Sequence, residues 1–205
     1  MGRITWKPVT GAQWGDLADL FGPRGACGGC WCMWWRLSRG DFARLKGDGT
    51  RRALKRLVDR GATPGILAYD GDRPVGWCCV GPREDFPLLE RSRVLARVDD
   101  EPVWSIVCFF VARDRRRRGL TRRLVAAAVA YAQSRGAAIV EAYPTDAGPD
   151  QPDAFVYSGL VPAFASNGFV EVVRRSKRRP ILRRRLRRGR SRPVARSVRK
   201  SPPPR

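Results

Sequence analysis

Histidine is absent from all 205 residues of this chain, and that one absence removes much chemistry. A Ser-His-Asp triad, a Cys-His pair and any imidazole-ligated metal are excluded. Long apolar runs are missing too. None approaches 18 residues, so no membrane-spanning helix is expected. The start, Met1-Gly2-Arg3-Ile4-Thr5-Trp6-Lys7, lacks the apolar stretch of a secretory signal. Trp6 stands where myristoylation asks for Ser or Thr. A cytoplasmic protein is therefore expected. Acidic residues are scarce: 19 Asp+Glu face 41 Lys+Arg, for a formal net charge of +22. Lysine is scarce among the bases, which are overwhelmingly arginine. At 43% hydrophobic the chain is nonetheless rich enough in apolar residues to build a core.

The acids are not merely few but stop early. Residues 1–173 carry 25 basic and 19 acidic side chains and are net +6, whereas 174–186 and 187–205 each carry 8 basic residues and no acid. The last stretch, from Arg187-Arg188-Gly189-Arg190 to Pro202-Pro203-Pro204-Arg205, has no apolar periodicity. It cannot bury enough surface to offset its ordering entropy. It reads as a disordered basic tail over 187–205, able to touch a polyanion or to have no specific partner. Residues 1–186 read as one domain.

Six cysteines occur, at 27, 30, 32, 78, 79 and 108. With no secretory signal, reduced thiols are the expectation. Cys27-x-x-Cys30-x-Cys32 resembles half of a zinc site, whose fourth thiolate could come only from Cys78, Cys79 or Cys108. No second Cys-x-x-Cys completes it, so plain buried or pocket-lining thiols are expected and no metal.

Apolar spacing predicts a helix over 12–21, ended by Gly22-Pro23, and one over 51–60 capped by Thr50. Trp31, Trp34 and Trp35 stand at i, i+3 and i+4, which predicts a short helix with one aromatic face. Residues 66–69 and 74–80 flank Asp70-Gly71-Asp72, a hairpin signal. The run from Val103 to Val111 reads as a strand buried on both faces. A helix over 120–135 follows, then a buried strand over 137–143, a helix over 159–167 and a strand pair at 168–173 and 180–182. The order is that of a mixed α/β layer fold.

The stretch that carries chemistry joins the buried strand to the helix after it: Arg115-Arg116-Arg117-Arg118-Gly119-Leu120-Thr121. A helix N-terminus behind a buried strand offers free N–H groups and a positive dipole end to a phosphate. Gly119 lets backbone approach closely, and the arginines add forked contacts. Neither G-x-x-x-x-G-K-[ST] nor G-x-G-x-x-G occurs, so this is not a Walker loop or a dinucleotide fingerprint.

Val111-x-x-x-x-Arg116-x-x-Gly119-x-Thr121-x-x-Leu124-Val125 resembles the acyl-CoA motif R-x-x-G-x-G/A of the GNAT N-acetyltransferase superfamily, with Thr121 in place of Gly or Ala. Phe164-Ala165-Ser166-Asn167-Gly168-Phe169 resembles the superfamily's late helix and following strand, and the element order agrees from about residue 4 to 186. The resemblance implies a mostly antiparallel twisted sheet, flanked by helices, whose central strands splay. It implies acetyl-CoA as cosubstrate. Pantetheine would pair with Phe109, Phe110 and Val111, and the amides and side chains of Arg116, Arg117, Arg118, Gly119, Leu120 and Thr121 would hold pyrophosphate. A backbone N–H near Phe110 or Val111 would polarise the thioester carbonyl.

Direct transfer to an amine also needs a base and an acid. Glu101 and Glu141 are the base candidates. Glu141 reads equally as a hydrogen-bonded carboxylate at a strand end. The tyrosine many members use as acid aligns with Phe164, which cannot donate. Tyr157 and Ser158, just before that helix, are substitutes by proximity, and Tyr143 is a third possibility. Cys108 inside an apolar strand is expected to be an inert thiol. The acceptor, a small-molecule amine or a protein lysine, would meet Trp31 to Arg36 and the loop after Tyr143. Asp99-Asp100-Glu101 would attract a cationic amine or form a solvated turn. The alternative to an enzyme is a catalytically weak CoA-binding module whose tail docks to a polyanion. A homodimer is compatible with either.

Overall fold

The structure, a computed structural model, describes residues 4–146 and 156–186; the basic tail lies outside them. Seven strands form one open sheet in the order β1-β2-β3-β4-β5-β7-β6. They are β1 (Ile4–Pro8), β2 (Gly65–Asp70), β3 (Arg73–Pro82), β4 (Trp104–Val111), β5 (Ile139–Ala142), β6 (Val170–Arg174) and β7 (Pro180–Arg185). Every neighbouring pair is antiparallel except β4 and β5.

That exception shapes the molecule. β4 and β5 pair only through Trp104–Val140, Ser105–Glu141 and Ile106–Ala142. Beyond Ile106, β4 continues to Val111 with no β5 partner. The divergence begins at a β-bulge. Cys79 opposes Cys108 while Val80 opposes Ile106, which leaves Val107 as the extra residue. A bulge bends its strand and sharpens the twist. It also shifts the alternation, so the neighbours Val107 and Cys108 pack on the same face while Ile106 and Phe109 pack on the other.

Among the described residues six α-helices cover the faces: α1 (Trp14–Phe21), α2 (Arg39–Leu45), α3 (Asp48–Asp59), α4 (Pro87–Glu90), α5 (Leu120–Ser134) and α6 (Val161–Ala165). One face packs α1 and α3 through Leu17, Phe21 and Leu54 onto Leu67, Trp77 and Cys79. The opposite face is α5, whose Leu120, Leu124, Val125 and Ala128 meet Ile66, Cys78, Val80 and Ile106. Gly76 makes that approach possible, since a Cβ there would lie 3.1 Å from Leu124 and 3.2 Å from Leu120.

Several local expectations need correction. Thr50 does not cap the helix. α3 starts at Asp48, and the Thr50 hydroxyl donates to the carbonyls of Gly29 (2.6 Å) and Gly47 (2.7 Å). The tryptophan segment is not a helix. Ala26, Trp31 and Cys32 adopt left-handed φ angles of 67°, 42° and 55°, which no helix contains. Trp31 therefore stacks on Trp14, while Trp34 packs edge-on against Phe42. β1, α2 and α4 were not among the expected elements. The final arginines are structural as well as basic. Arg183 is buried, and exposed Arg175 donates to the carbonyls of Val94, Ala96 and Arg97. No helix among the described residues is long and apolar enough to cross a membrane.

Leu124 is fully buried between α5 and the sheet. Leu124→Ala is expected to lower the unfolding free energy by about 3 kcal/mol, read from urea denaturation as a shifted midpoint at unchanged slope. A loss below about 1 kcal/mol would show that α5 does not seal this face.

Candidate active site

The parting of β4 from β5 exposes one edge of β4. Ala112 donates its N–H to Val75 of β3 at 3.0 Å, so the even-numbered residues at this end of β4 face β3. The odd-numbered ones face the gap. Phe109 directs its N–H there, to the Tyr157 carbonyl at 2.6 Å, and Val111 directs its carbonyl there, accepting from Arg116 Nε at 3.1 Å. By the same alternation the Val111 N–H points into the gap and that of Phe110 does not. Of the two expected thioester-polarising positions, only Val111 has the required direction.

Past Val111 the chain makes a short 3₁₀ turn over Arg113–Arg115 and then two left-handed steps, at Arg117 (φ 59°) and Gly119 (φ 73°). Gly119 caps α5 with no side-chain hydrogen bond and no acidic residue in the first turn. The first N–H groups of α5 are thus not covered by a capping side chain, and the dipole adds positive potential. Arg115 is tied to Asp70 at 2.8 Å. Arg117 is exposed and available to an anion.

These pieces line one cleft of about 700 Å³. Phe109, Phe110, Val111, Arg116, Arg117, Gly119, Leu120 and Thr121 are all on its wall. Arg118, the ninth residue expected to contact CoA, is exposed and not on the wall. The opposite wall is Cys27, Cys30, Cys32, Trp34 and Trp35 of the irregular front segment, with Phe42 and Lys46 from α2 and its end. The last two lie outside the Trp31–Arg36 segment expected to meet the acceptor. Ser38 was their signal, since it caps α2 by accepting from the Asp41 N–H at 3.1 Å.

The thiols meet at the cleft floor. Cys32, Cys79 and Cys108 interact, and the Trp77 indole donates to the Cys32 sulfur at 3.0 Å. Contact with Cys108 pushes the Cys32 thiol up, contact with Cys32 does the same to Cys79, and burial adds to both. For Cys108, contact with Cys32 pulls down while burial and neighbouring thiols push up, for a net rise. Raised thiols are poor nucleophiles. All six cysteines are unpaired. Among the described residues no three Cys, Asp or Glu side chains form a group able to hold a metal ion.

The acid and base candidates separate. Tyr157 lines the cleft, and burial raises its phenol above the ordinary value, with Arg179 opposing. It therefore holds its proton at neutral pH. Ser158 is fully buried and spends its hydroxyl on Thr145 at 3.1 Å, off the cleft wall. Phe164, at the usual tyrosine position, is buried between Phe109 and Phe169. Glu141 is fully buried and does not line the cleft. One carboxylate oxygen accepts from Arg83 (2.8 Å) and Tyr143 (2.6 Å), the other from Arg183 (2.6 Å). Tyr143 is enclosed in the same network, with Ser105 at 2.9 Å, and burial drives its phenol well up. Glu101 is clasped by Arg185 at 2.6 Å and 2.9 Å, and that contact holds its carboxyl below the usual range. Asp99 is spent on Arg183 at 2.6 Å. The acidic run thus faces the arginines of β7, not the cleft.

Removing the Glu141 charge leaves two buried guanidinium groups under-compensated. Glu141→Gln is expected to cost about 3 kcal/mol or more of stability, seen as a large fall in thermal midpoint. If it instead abolished turnover at unchanged melting temperature, Glu141 would have to be reassigned as a base.

Comparisons with known proteins agree with this geometry. Residues 31–155 match the family model described as the acetyltransferase (GNAT) family. No curated protein sequence matches significantly. Among solved structures, arylalkylamine N-acetyltransferase 2 of Aedes aegypti has a TM-score of 0.53 at 13% identity, covering 91% of this chain and 100% of that one. The yncA protein of Salmonella typhimurium, solved with acetyl-CoA, has a TM-score of 0.51 at 13% identity, covering 92% and 96%. The PaiA N-acetyltransferase of Thermoplasma acidophilum, solved with coenzyme A, has a TM-score of 0.51 at 10% identity, covering 90% and 99%. Over a matched span of more than half its length, with the parted strands and the glycine-capped helix in place, the chain belongs to the GNAT acetyltransferase family.

Proposed function

We propose that this protein is an acetyl-CoA-dependent N-acetyltransferase that passes the acetyl group directly to an amine, with donor and acceptor bound together. The observation that carries this reading is one continuous cleft. It joins the open edge of β4, the left-handed turn at residues 117–119, the uncovered start of α5 and the protonated phenol of Tyr157.

Acetyl-CoA supplies the activated acyl group as substrate. The protein's part is binding, orientation and proton control. The N–H groups beginning α5, with Arg117, suit the pyrophosphate. The open edge at Phe109 and Val111 suits the amide-bearing pantetheine arm, and the Val111 N–H is directed to a carbonyl oxygen there. Tyr157 gives its proton to the departing thiolate. A phenol stands in the role although the usual tyrosine position holds Phe164. The unpaired thiols accord with a reducing, cytoplasmic setting.

Acetyl-CoA is expected to raise the melting temperature of the wild type, and Gly119→Glu to abolish that shift by placing a carboxylate on the anion site. Absence of any shift in the wild type would overturn the reading. Tyr157→Phe is expected to lower kcat about 100-fold while leaving acetyl-CoA binding within a few-fold. Because the Tyr157 phenol is raised, the wild-type kcat should not fall on the alkaline side until above about pH 10. A decline centred near neutrality would assign the acid to another group.

A further inference from the structure

The front wall of the cleft shows which amine fits. A pantetheine arm lying along β4 uses the edge of Phe109 and Val111. Trp34, Trp35, Phe42 and the thiols of Cys30 and Cys32, which line the same cleft, are left for the acceptor. This wall is aromatic and contains no carboxylate among the described residues. Its one charged group, Lys46, is exposed, lies over Gly28 and makes no ion pair among the described residues. Trp35, 7% exposed, contributes its ring to this wall. An exposed cation beside aromatic rings, with no carboxylate among the described residues of the wall, favours an anionic ligand and disfavours a polycation.

The proton inventory points the same way. An alkyl ammonium must lose its proton before it can attack, and its pKa lies near that of lysine, about 10.4. The chain has no histidine. Glu141 and Glu101 are committed to arginines outside the cleft, and the cleft thiols Cys32 and Cys108 are raised. No described residue on the wall is equipped to deprotonate an alkyl ammonium. An amine already neutral at pH 7 needs no such help.

We propose that the acceptor is a weakly basic aromatic amine bearing an anionic group, an aminobenzoate-like molecule whose ring lies against Trp34, Trp35 and Phe42 and whose anion meets Lys46. This rests on the transferase reading above. The amine nitrogen forms a bond to the acetyl carbon as the carbon–sulfur bond to CoA breaks. One proton leaves nitrogen for cleft water, and one reaches sulfur from Tyr157, which regains it from solvent.

The test compares 4-aminobenzoate, 4-aminobenzamide, 2-phenylethylamine and spermidine as acceptors by CoA thiol release, with acetyl-CoA thermal shift measured in parallel. The expected result is a kcat/KM for 4-aminobenzoate at least about tenfold above the other three at pH 7, nearly flat from about pH 6 to 9. Lys46→Ala should remove most of the advantage over 4-aminobenzamide, and Lys46→Glu should reverse it. Preference for spermidine or 2-phenylethylamine, with a rate rising about tenfold per pH unit, would overturn this proposal and leave the transferase reading standing. Equal rates for 4-aminobenzoate and 4-aminobenzamide would remove the anionic requirement, as would loss of the acetyl-CoA shift in Lys46→Ala, which would assign Lys46 to the donor. Acetyl-CoA binding with no turnover of any amine would overturn both.

Discussion

Everything at the cleft depends on two parallel strands failing to stay together. β4 and β5 share three residue pairs and then part, because Val107 is inserted as a bulge opposite the Cys79–Val80 step of β3. In a continuous sheet the edge amides of β4 would be consumed by β5. Here the Phe109 amide is held by the Tyr157 carbonyl instead, and the Val111 amide is directed into the cavity. The same insertion resets the alternation so that Cys108 and Phe110 face α1 and α3, while Phe109 and Val111 turn toward α5. One extra residue thus sets both which backbone groups are free and which side chains line the floor.

The paired end of the split needs holding, and a buried charge cluster does so. Glu141, one pair short of the divergence on β5, joins Arg83 after β3 to Arg183 of β7, and Tyr143 and Ser105 complete the hydrogen bonding. Arg83 continues to Glu90 at 2.8 Å and to the Leu95 carbonyl at 2.7 Å. β4, β5, β7, the residue after β3 and α4 are therefore joined in one network around this carboxylate. Buried ion pairs contribute modestly against apolar replacements but cost heavily when halved, so such a cluster specifies geometry more than it adds stability. The same contacts account for much of the basic C-terminal hairpin. Arg174, Arg175, Arg183 and Arg185 all have partners within the fold, so charge counted along the chain overstates charge offered to a partner.

The parts of this fold that could be read in advance are those whose signal is local. The nearly continuous apolar run before Val111, the 3.6-residue stripe of α5 and the Arg116–Gly119–Thr121 spacing all survive without knowledge of neighbours. β1 was missed because three of its five residues are exposed, leaving no apolar alternation. The bulge was illegible because it exists only relative to β3. Glu141's fate depended on arginines 58 and 42 residues away, and no spacing rule reaches that far. The front segment deceived because Trp31, Trp34 and Trp35 do have helical spacing. The glycines around them instead permit left-handed turns. Gly25 in particular must lack a Cβ, which would fall 2.1 Å from the Trp31 ring nitrogen. Two of the three rings thereby reach a cleft that a regular helix would have turned them away from.

The Tyr157 carbonyl and the Phe109 amide form a closed clasp across the mouth of the split. Whatever comes to pair with that amide must first unfasten the clasp and move the backbone that bears the phenol. On the proposed reading, filling of the donor groove and placement of the Tyr157 phenol are therefore coupled through one backbone hydrogen bond.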